Sequence, residues 1–123
     1  MNIILISIFG VLGVLSRYSI ETLLGNKNHI FPIATLFANV LGCLLAGCLY
    51  TLMSQKDSAN QQYYLTIIIG FCGGLTTFSG YALQTLGIME SGQLLKGISY
   101  LIISPALGLI CVLIGMKLTS LAS

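Results

Sequence analysis

The chain has 123 residues, 56% of them hydrophobic and 7% charged, with a formal net charge of +2 and a mean hydropathy of +0.98. A soluble domain with this balance would lack the polar surface to cover itself, so lipid is the solvent for most of the chain and no nucleic-acid partner is expected. A hydrocarbon core ~30 Å thick takes about 20 apolar residues per helical crossing, which limits the chain to about four or five spans in one bundle.

The first apolar run follows Met1 and Asn2 without a basic leader and reaches Arg17 without a small-x-small cleavage pattern. It is expected to be a retained helix over about residues 3–24, not a signal peptide, ended by the turn formers Gly25, Asn26, Lys27 and Asn28. A second helix is expected over about 31–53, with Pro32 in its first turn. The polar run from Ser54 to Gln62 must lie outside the membrane, and two further helices follow over about 63–89 and 94–121.

The third of these segments is unusual. Between Gly70 and Gly80 it carries four glycines together with Thr76, Thr77 and Ser79 at mid-membrane depth. Such residues suit a lipid-facing helix poorly, and the pattern predicts unwound backbone from Gly73 to Ser79. Backbone of that kind survives at membrane depth only when protein or a watery cavity meets it, and its freed carbonyls suit a cation. Elsewhere, Gly10 and Gly13, the stretch Asn39 to Gly47, and Gly108 to Gly115 have the small-residue spacing of close helix packing.

Charge is nearly balanced across the expected topology, with Lys56 and Lys117 on one side and Arg17, Lys27 and Lys96 on the other. Orientation normally follows a clear excess of Lys and Arg on the cytoplasmic side, so this chain can insert either way up, and antiparallel pairing of two copies is feasible. Cys43, Cys48, Cys72 and Cys111 all fall in apolar segments without C-x-x-C spacing and read as small buried hydrophobes.

Catalysis finds no support. The acids are Glu21, Asp57 and Glu90, all at helix ends or in loops, His29 reads as a solvated loop residue, and no nucleophile–base pair, phosphate loop or metal-ligand cluster is present. What the spans do contain is neutral polarity. Thr35 and Asn39 are four apart on the second helix, Tyr100 and Ser104 four apart on the fourth, and Thr76, Thr77 and Ser79 cluster on the third. Aligned amides and hydroxyls can replace the water around a dehydrated anion without a fixed charge that would hold it too tightly; the alternative role for such stripes is interhelical adhesion. Phe78 and Tyr81, three apart, can aim two rings along one face, and a ring edge carries partial positive charge.

Three stretches carry a family likeness: Gly70-Phe71-Cys72-Gly73-Gly74-Leu75-Thr76-Thr77-Phe78-Ser79, Gly10-Val11-Leu12-Gly13-Val14-Leu15-Ser16-Arg17-Tyr18, and Ala34-Thr35-Leu36-Phe37-Ala38-Asn39-Val40-Leu41-Gly42-Cys43. In these the chain resembles the Fluc (CrcB) family of fluoride channels over nearly its whole length. The resemblance implies an all-α membrane protein of four transmembrane helices with a broken third helix, assembled as an antiparallel dual-topology dimer with two pores. It implies that Asn39 is the pore amide, Phe78 and Tyr81 the ring positions, Tyr100 with Ser104 the polar track, and Arg17 a charge at a pore mouth. Thr35, Thr77 and Ser79 join them as pore candidates. It further implies a structural sodium ion, not transported, held by the backbone carbonyls of Gly73 and Thr76.

Two positions depart from the family pattern: Tyr81 stands where a second pore phenylalanine is usual, and Gly108 where a serine often continues the track. The expected function is passive export of fluoride through the plasma membrane of a bacterium, most simply as a homodimer. The rivals are a subunit of a heterodimer with one decayed pore and a small proton-coupled multidrug exporter. The exporter needs an acid in mid-membrane, and the first helix has none between Ile3 and Arg17.

Overall fold

The computed structural model describes residues 2–25 and 31–122, the side chain of Ala59 excepted; Lys27 and His29, read above as loop residues, lie outside the described residues. Helix α1 spans Ile3–Leu24, and Asn2 caps it by accepting the Ile4 N–H at 3.0 Å. Helix α2 spans Ile33–Ser54, with Pro32 at the N-cap position one step outside the first turn. The third span begins as α3 (Ser58–Ile67), passes through a π-helical turn (Ile68–Cys72) and one α-turn, α4 (Gly73–Leu75), and resumes as α5 (Phe78–Glu90). Helix α6 spans Leu94–Ala122. Four stretches are thus long and apolar enough to cross a membrane, and the described residues contain no strand.

The two differences from expectation both lie in the third span. Helical structure starts at Ser58 rather than near Tyr63, within the polar run, because Asp57 can turn the chain and the polar residues that follow are all compatible with a helix. The break is also narrower than the predicted Gly73 to Ser79. Only Thr76 (φ −83°, ψ 153°) and Thr77 (φ −145°, ψ 115°) are extended. Two of the four glycines counted as helix breakers, Gly70 and Gly74, serve contact with α1 instead. A Cβ on Gly74 would stand 2.6 Å from the Gly10 carbonyl oxygen, and one on Gly70 2.8 Å from the Phe9 Cβ. Gly13 in turn lies against the backbone of Phe71 and Leu75.

Burial is inverted relative to a soluble protein, as lipid requires. The interior holds small or polar-tipped groups such as Ala34, Ala38, Thr35, Thr85, Tyr81, Tyr100 and Ser104, whereas Ile3, Leu23, Leu83, Ile102 and Leu113 point outward. With no hydrophobic drive between helices in lipid, association rests on close backbone contact. Helix α2 packs along α6, α5 against α6, and α1 against the π-helical turn and α4. The α2–α6 contact depends on Gly47, which faces the Val112 backbone, and Gly115, which faces the backbone of Leu44 and Cys48. Gly47→Ala and Gly115→Ala should each lower stability by about 1–3 kcal/mol, read as an earlier thermal unfolding midpoint in detergent. Gly87→Ala, where nothing lies within 4 Å of the added Cβ, is the control and should leave the midpoint unchanged or raise it.

Candidate functional site

The break at Thr76 and Thr77 leaves backbone groups without helical partners, and three side chains deal with them. Asn39 on α2 grips Thr77 from both ends of its amide: its Oδ1 accepts the Thr77 N–H at 2.7 Å and its Nδ2 donates to the Thr77 carbonyl at 3.3 Å. Because the Thr77 N–H must have an acceptor, the orientation of this amide is fixed by chemistry. Thr77 then caps α5, its Oγ1 accepting the Gly80 N–H at 3.0 Å, as a threonine at this position does for many helices. Arg17 on α1 supplies the third partner, its Nε donating to the Gly74 carbonyl at 3.3 Å while its Nη1 meets Glu21 at 3.5 Å. The guanidinium is therefore level with the break, seven residues inside the end of α1 at Leu24, and Glu21 is its counter-charge.

These contacts leave two carbonyls in a distinctive condition. In a continuous helix the Gly73 oxygen would take the Thr77 N–H and the Thr76 oxygen the Gly80 N–H. Both donors are instead committed to side chains, to Asn39 Oδ1 and Thr77 Oγ1 respectively. The freed acceptors are hard oxygen ligands, and Gly73 is exposed on the surface of the chain. Among the described residues no group of three or more His, Cys, Asp or Glu could hold a metal. A cation here would be one that accepts neutral carbonyl oxygen, which suits an alkali or alkaline-earth ion better than a transition metal.

Beside the break lies a groove of about 450 Å³ lined by Asn39, Thr76, Thr77, Phe78, Tyr81 and Ser104, continuing past Cys43 and Gly108. Four of the residues singled out in the sequence, Asn39, Phe78, Tyr81 and Ser104, thus come together with Thr77 along one wall. Ser79 is exposed nearby, its hydroxyl 3.3 Å from that of Thr77. Phe78 projects from the chain with 81% of its surface exposed, while Tyr81 beside it is buried, the ring centroids 5.6 Å apart.

Thr35 and Tyr100 join a different part of the path, through a residue that sequence reading missed. Gln84 on α5 donates from Nε2 to the Thr35 Oγ1 at 2.7 Å and accepts from the Tyr100 hydroxyl at 3.5 Å. Thr35 and Gln84 also line a second cavity of about 540 Å³, open between the ends of α1 and α5 and bordered by Glu21, Phe31 and Ser91. The Tyr81 ring on the groove stands 5.4 Å from the ring of Tyr100, which is bonded to Gln84 of the vestibule. Gln84 could have been found: it shares the helical face of Tyr81 and Ile88, at spacings of three and four, as a lone amide in an apolar segment. Asn39 and Gln84 each use one amide N–H in the bonds described and carry a second that can be offered to a ligand. The arrangement presents neutral donors and ring edges in series, and the carboxylate at the vestibule, Glu21, is paired with Arg17.

Comparison with known proteins places the chain in a family. The family model for CrcB-like protein, Camphor Resistance (CrcB), matches residues 4–116. The chain belongs to the CrcB family. A protein of Pseudomonas syringae pv. tomato named fluoride-specific ion channel FluC is 39% identical over 98% of this chain and 98% of its own length. One of the same name from Desulfotalea psychrophila is 37% identical, covering 94% of this chain and 89% of its own. Fluoride-specific ion channel FluC 2 of Rhodococcus jostii is 34% identical over 98% and 100%. With four apolar spans and this membership, the chain is a multi-pass membrane protein.

In this CrcB-family chain the clamp carries a direct consequence for stability. Asn39→Ala leaves the Thr77 N–H without its acceptor at membrane depth, and should cost about 1–3 kcal/mol. The loss should appear as a lower unfolding midpoint in detergent together with faster deuterium exchange at the amides of Thr77 and Phe78, and unchanged exchange there would show that the clamp does not hold the break.

Proposed function

We propose that this chain is a fluoride-specific channel through which the anion leaves the cytoplasm passively, working in the cell membrane of a bacterium as an antiparallel dimer. The observation that carries the reading is the series of neutral donors, Gln84, Ser104 and Asn39, running beside the Phe78 and Tyr81 rings in a chain of the CrcB family, with the Tyr100 hydroxyl bonded to Gln84 and orienting its amide. Fluoride is small and strongly hydrated, so a pore must repay its dehydration with hydrogen-bond donors. The donors are uncharged, which lets the ion leave as well as enter, and a larger halide fits the same spacing less well. Weakly acidic HF enters a cell from acid surroundings, dissociates at higher internal pH, and departs as the anion.

A dimer is supported by what a single chain leaves uncovered. Gly73, Phe78 and Ser79 are exposed around irregular backbone in the middle of the third span, where lipid cannot satisfy a carbonyl. A second copy in the opposite orientation would cover this face and lend its own ring to each groove. Two copies would also bring the freed Gly73 and Thr76 carbonyls together, four oxygens in all, as ligands for a sodium ion that is structural and not transported. Bound there, the cation would compensate the partial charge of the gathered carbonyls; within the single chain the break is held by Asn39, Thr77 and Arg17.

A proton-coupled exporter is disfavoured by charge placement: Glu21, the acid within α1, is paired with Arg17 and lies near the helix end. Liposomes loaded with fluoride and containing this chain alone should empty rapidly into a fluoride electrode, chloride should be retained, and Asn39→Asp, which places a fixed negative charge in the groove, should abolish the flux. Vesicles that hold fluoride as well as protein-free ones would refute the homomeric channel, and rapid efflux restored by a co-purified second subunit would identify the chain as half of a heterodimer. Replacing sodium by N-methylglucamine during purification should shift the protein from dimer to monomer in detergent gel filtration if the carbonyl site is filled by that ion, and no shift would remove the sodium assignment.

A further inference from the structure

Helix α6 contains Pro105, which has no backbone N–H. In an unbroken helix the donor at position 105 would satisfy the carbonyl of Leu101, so the proline leaves that oxygen without its helical partner in the middle of a membrane span. The structure supplies a replacement from a neighbouring helix: the Tyr81 hydroxyl donates to the Leu101 carbonyl at 2.6 Å. Tyr81 and Pro105 both line the groove. A helical carbonyl points toward the residue four places on, so the Leu101 oxygen is directed at the proline and, without its cap, would turn a bare acceptor toward the groove wall.

We propose that Tyr81 is a positioning residue for anion passage whose hydroxyl covers the acceptor that Pro105 uncovers, and that the two residues act as a pair. The inference rests on the channel reading above and deepens it. The hydroxyl has one proton to give, and it gives it to Leu101. It therefore offers no donor to fluoride; the contribution of Tyr81 to the path is its ring, held in one orientation by the same bond and by contact with Tyr100 at 5.4 Å. Phe78, 81% exposed, has no such tether in the chain. The tyrosine in place of a phenylalanine is thus a local answer to a proline in the facing helix: it keeps the ring and removes a partial negative charge from the anion's route.

Tyr81→Phe should slow fluoride efflux from liposomes roughly tenfold, the effect of an unsatisfied carbonyl on the path. It should also raise the half-saturating fluoride concentration, a quantity that loss of folded protein does not move. In the Pro105→Ala background, where a backbone N–H is available to Leu101 again, the same Tyr81→Phe change should alter neither efflux nor half-saturation by more than about twofold. Equal slowing in both backgrounds would mean that the hydroxyl acts on the ion itself, and no slowing in either would mean that the cap is irrelevant to passage; each result overturns the pairing. Isotope-edited infrared of a labelled Leu101 carbonyl reads the bond independently of transport: the band should move to higher frequency in Tyr81→Phe and return in the double variant. If wild-type protein conducts no fluoride, the channel reading and the role in passage fall together, whereas an unmoved band with a conducting wild type overturns the pairing alone.

Discussion

The fold turns on a two-point hydrogen bond between one amide side chain and one backbone residue. Asn39 Oδ1 and Nδ2 take the N–H and the carbonyl of Thr77, so both backbone groups of this residue, which is in neither helix nor strand, are satisfied in mid-span. Without that grip the Thr77 N–H would lose its acceptor at membrane depth and the Thr77 carbonyl one of its donors. The same amide stands on the groove, so the element that creates the irregular backbone also faces the route past it. Stability and function share a residue here, which means that a substitution at this position removes a structural bond and a lining donor together.

Around this point the chain handles its remaining polar groups by borrowing. Several groups are answered from another helix or by a cap, Arg17 for the Gly74 carbonyl, Thr77 for the Gly80 N–H, Tyr81 for the Leu101 carbonyl and Gln84 for Thr35 and Tyr100, while the Gly73 and Thr76 carbonyls stay free. The result is a track with little fixed charge and several oriented dipoles. In the proposed channel an ion moving along such a track would meet groups whose protons are already directed by their other bonds, and little reorientation would be needed as it passed. Arg17 adds a full positive charge at the level of the break, moderated by Glu21 at 3.5 Å, which in the proposed channel would favour anions without creating a deep trap.

Much of this architecture was legible in the residues, and what was not has identifiable physical causes. The four spans follow from apolar run length alone, because lipid imposes a single requirement on every exposed residue. A break in the third span was also legible, but its position was not. Glycines weaken helices and permit close approach, and nothing local distinguishes the two uses; Gly70 and Gly74 pack on α1, and the unwinding falls on two β-branched threonines held by tertiary bonds. The grouping of Asn39, Phe78, Tyr81 and Ser104 came from family likeness and a shared-face argument. Gln84 was overlooked because one amide in an apolar helix has no partner in sequence, since Thr35 lies 49 residues away. Arg17 was expected near a helix end, where a charge reaches water most easily. Its hydrogen bond to Gly74, 57 residues on, holds it deeper.

The two departures from the family pattern gain a different meaning once their neighbours are known. Taken from sequence, a tyrosine for a phenylalanine and a glycine for a serine look like erosion of a pore. In the fold, each is matched to a second residue across a helix contact. Tyr81 answers the proline at position 105. Gly108 faces Cys43, whose sulfur stands only 3.3 Å from where a Cβ would be, so a serine at 108 would press on that thiol or force it to another rotamer. The thiol, a weak donor that lines the groove at the same level, occupies the room that the missing side chain leaves. A pore that was decaying would lose residues one at a time, without regard to what they touch. Here the tyrosine hydroxyl keeps the Leu101 carbonyl satisfied and the Cys43 thiol fills the space beside Gly108, so neither position leaves a gap or a bare acceptor in the groove wall.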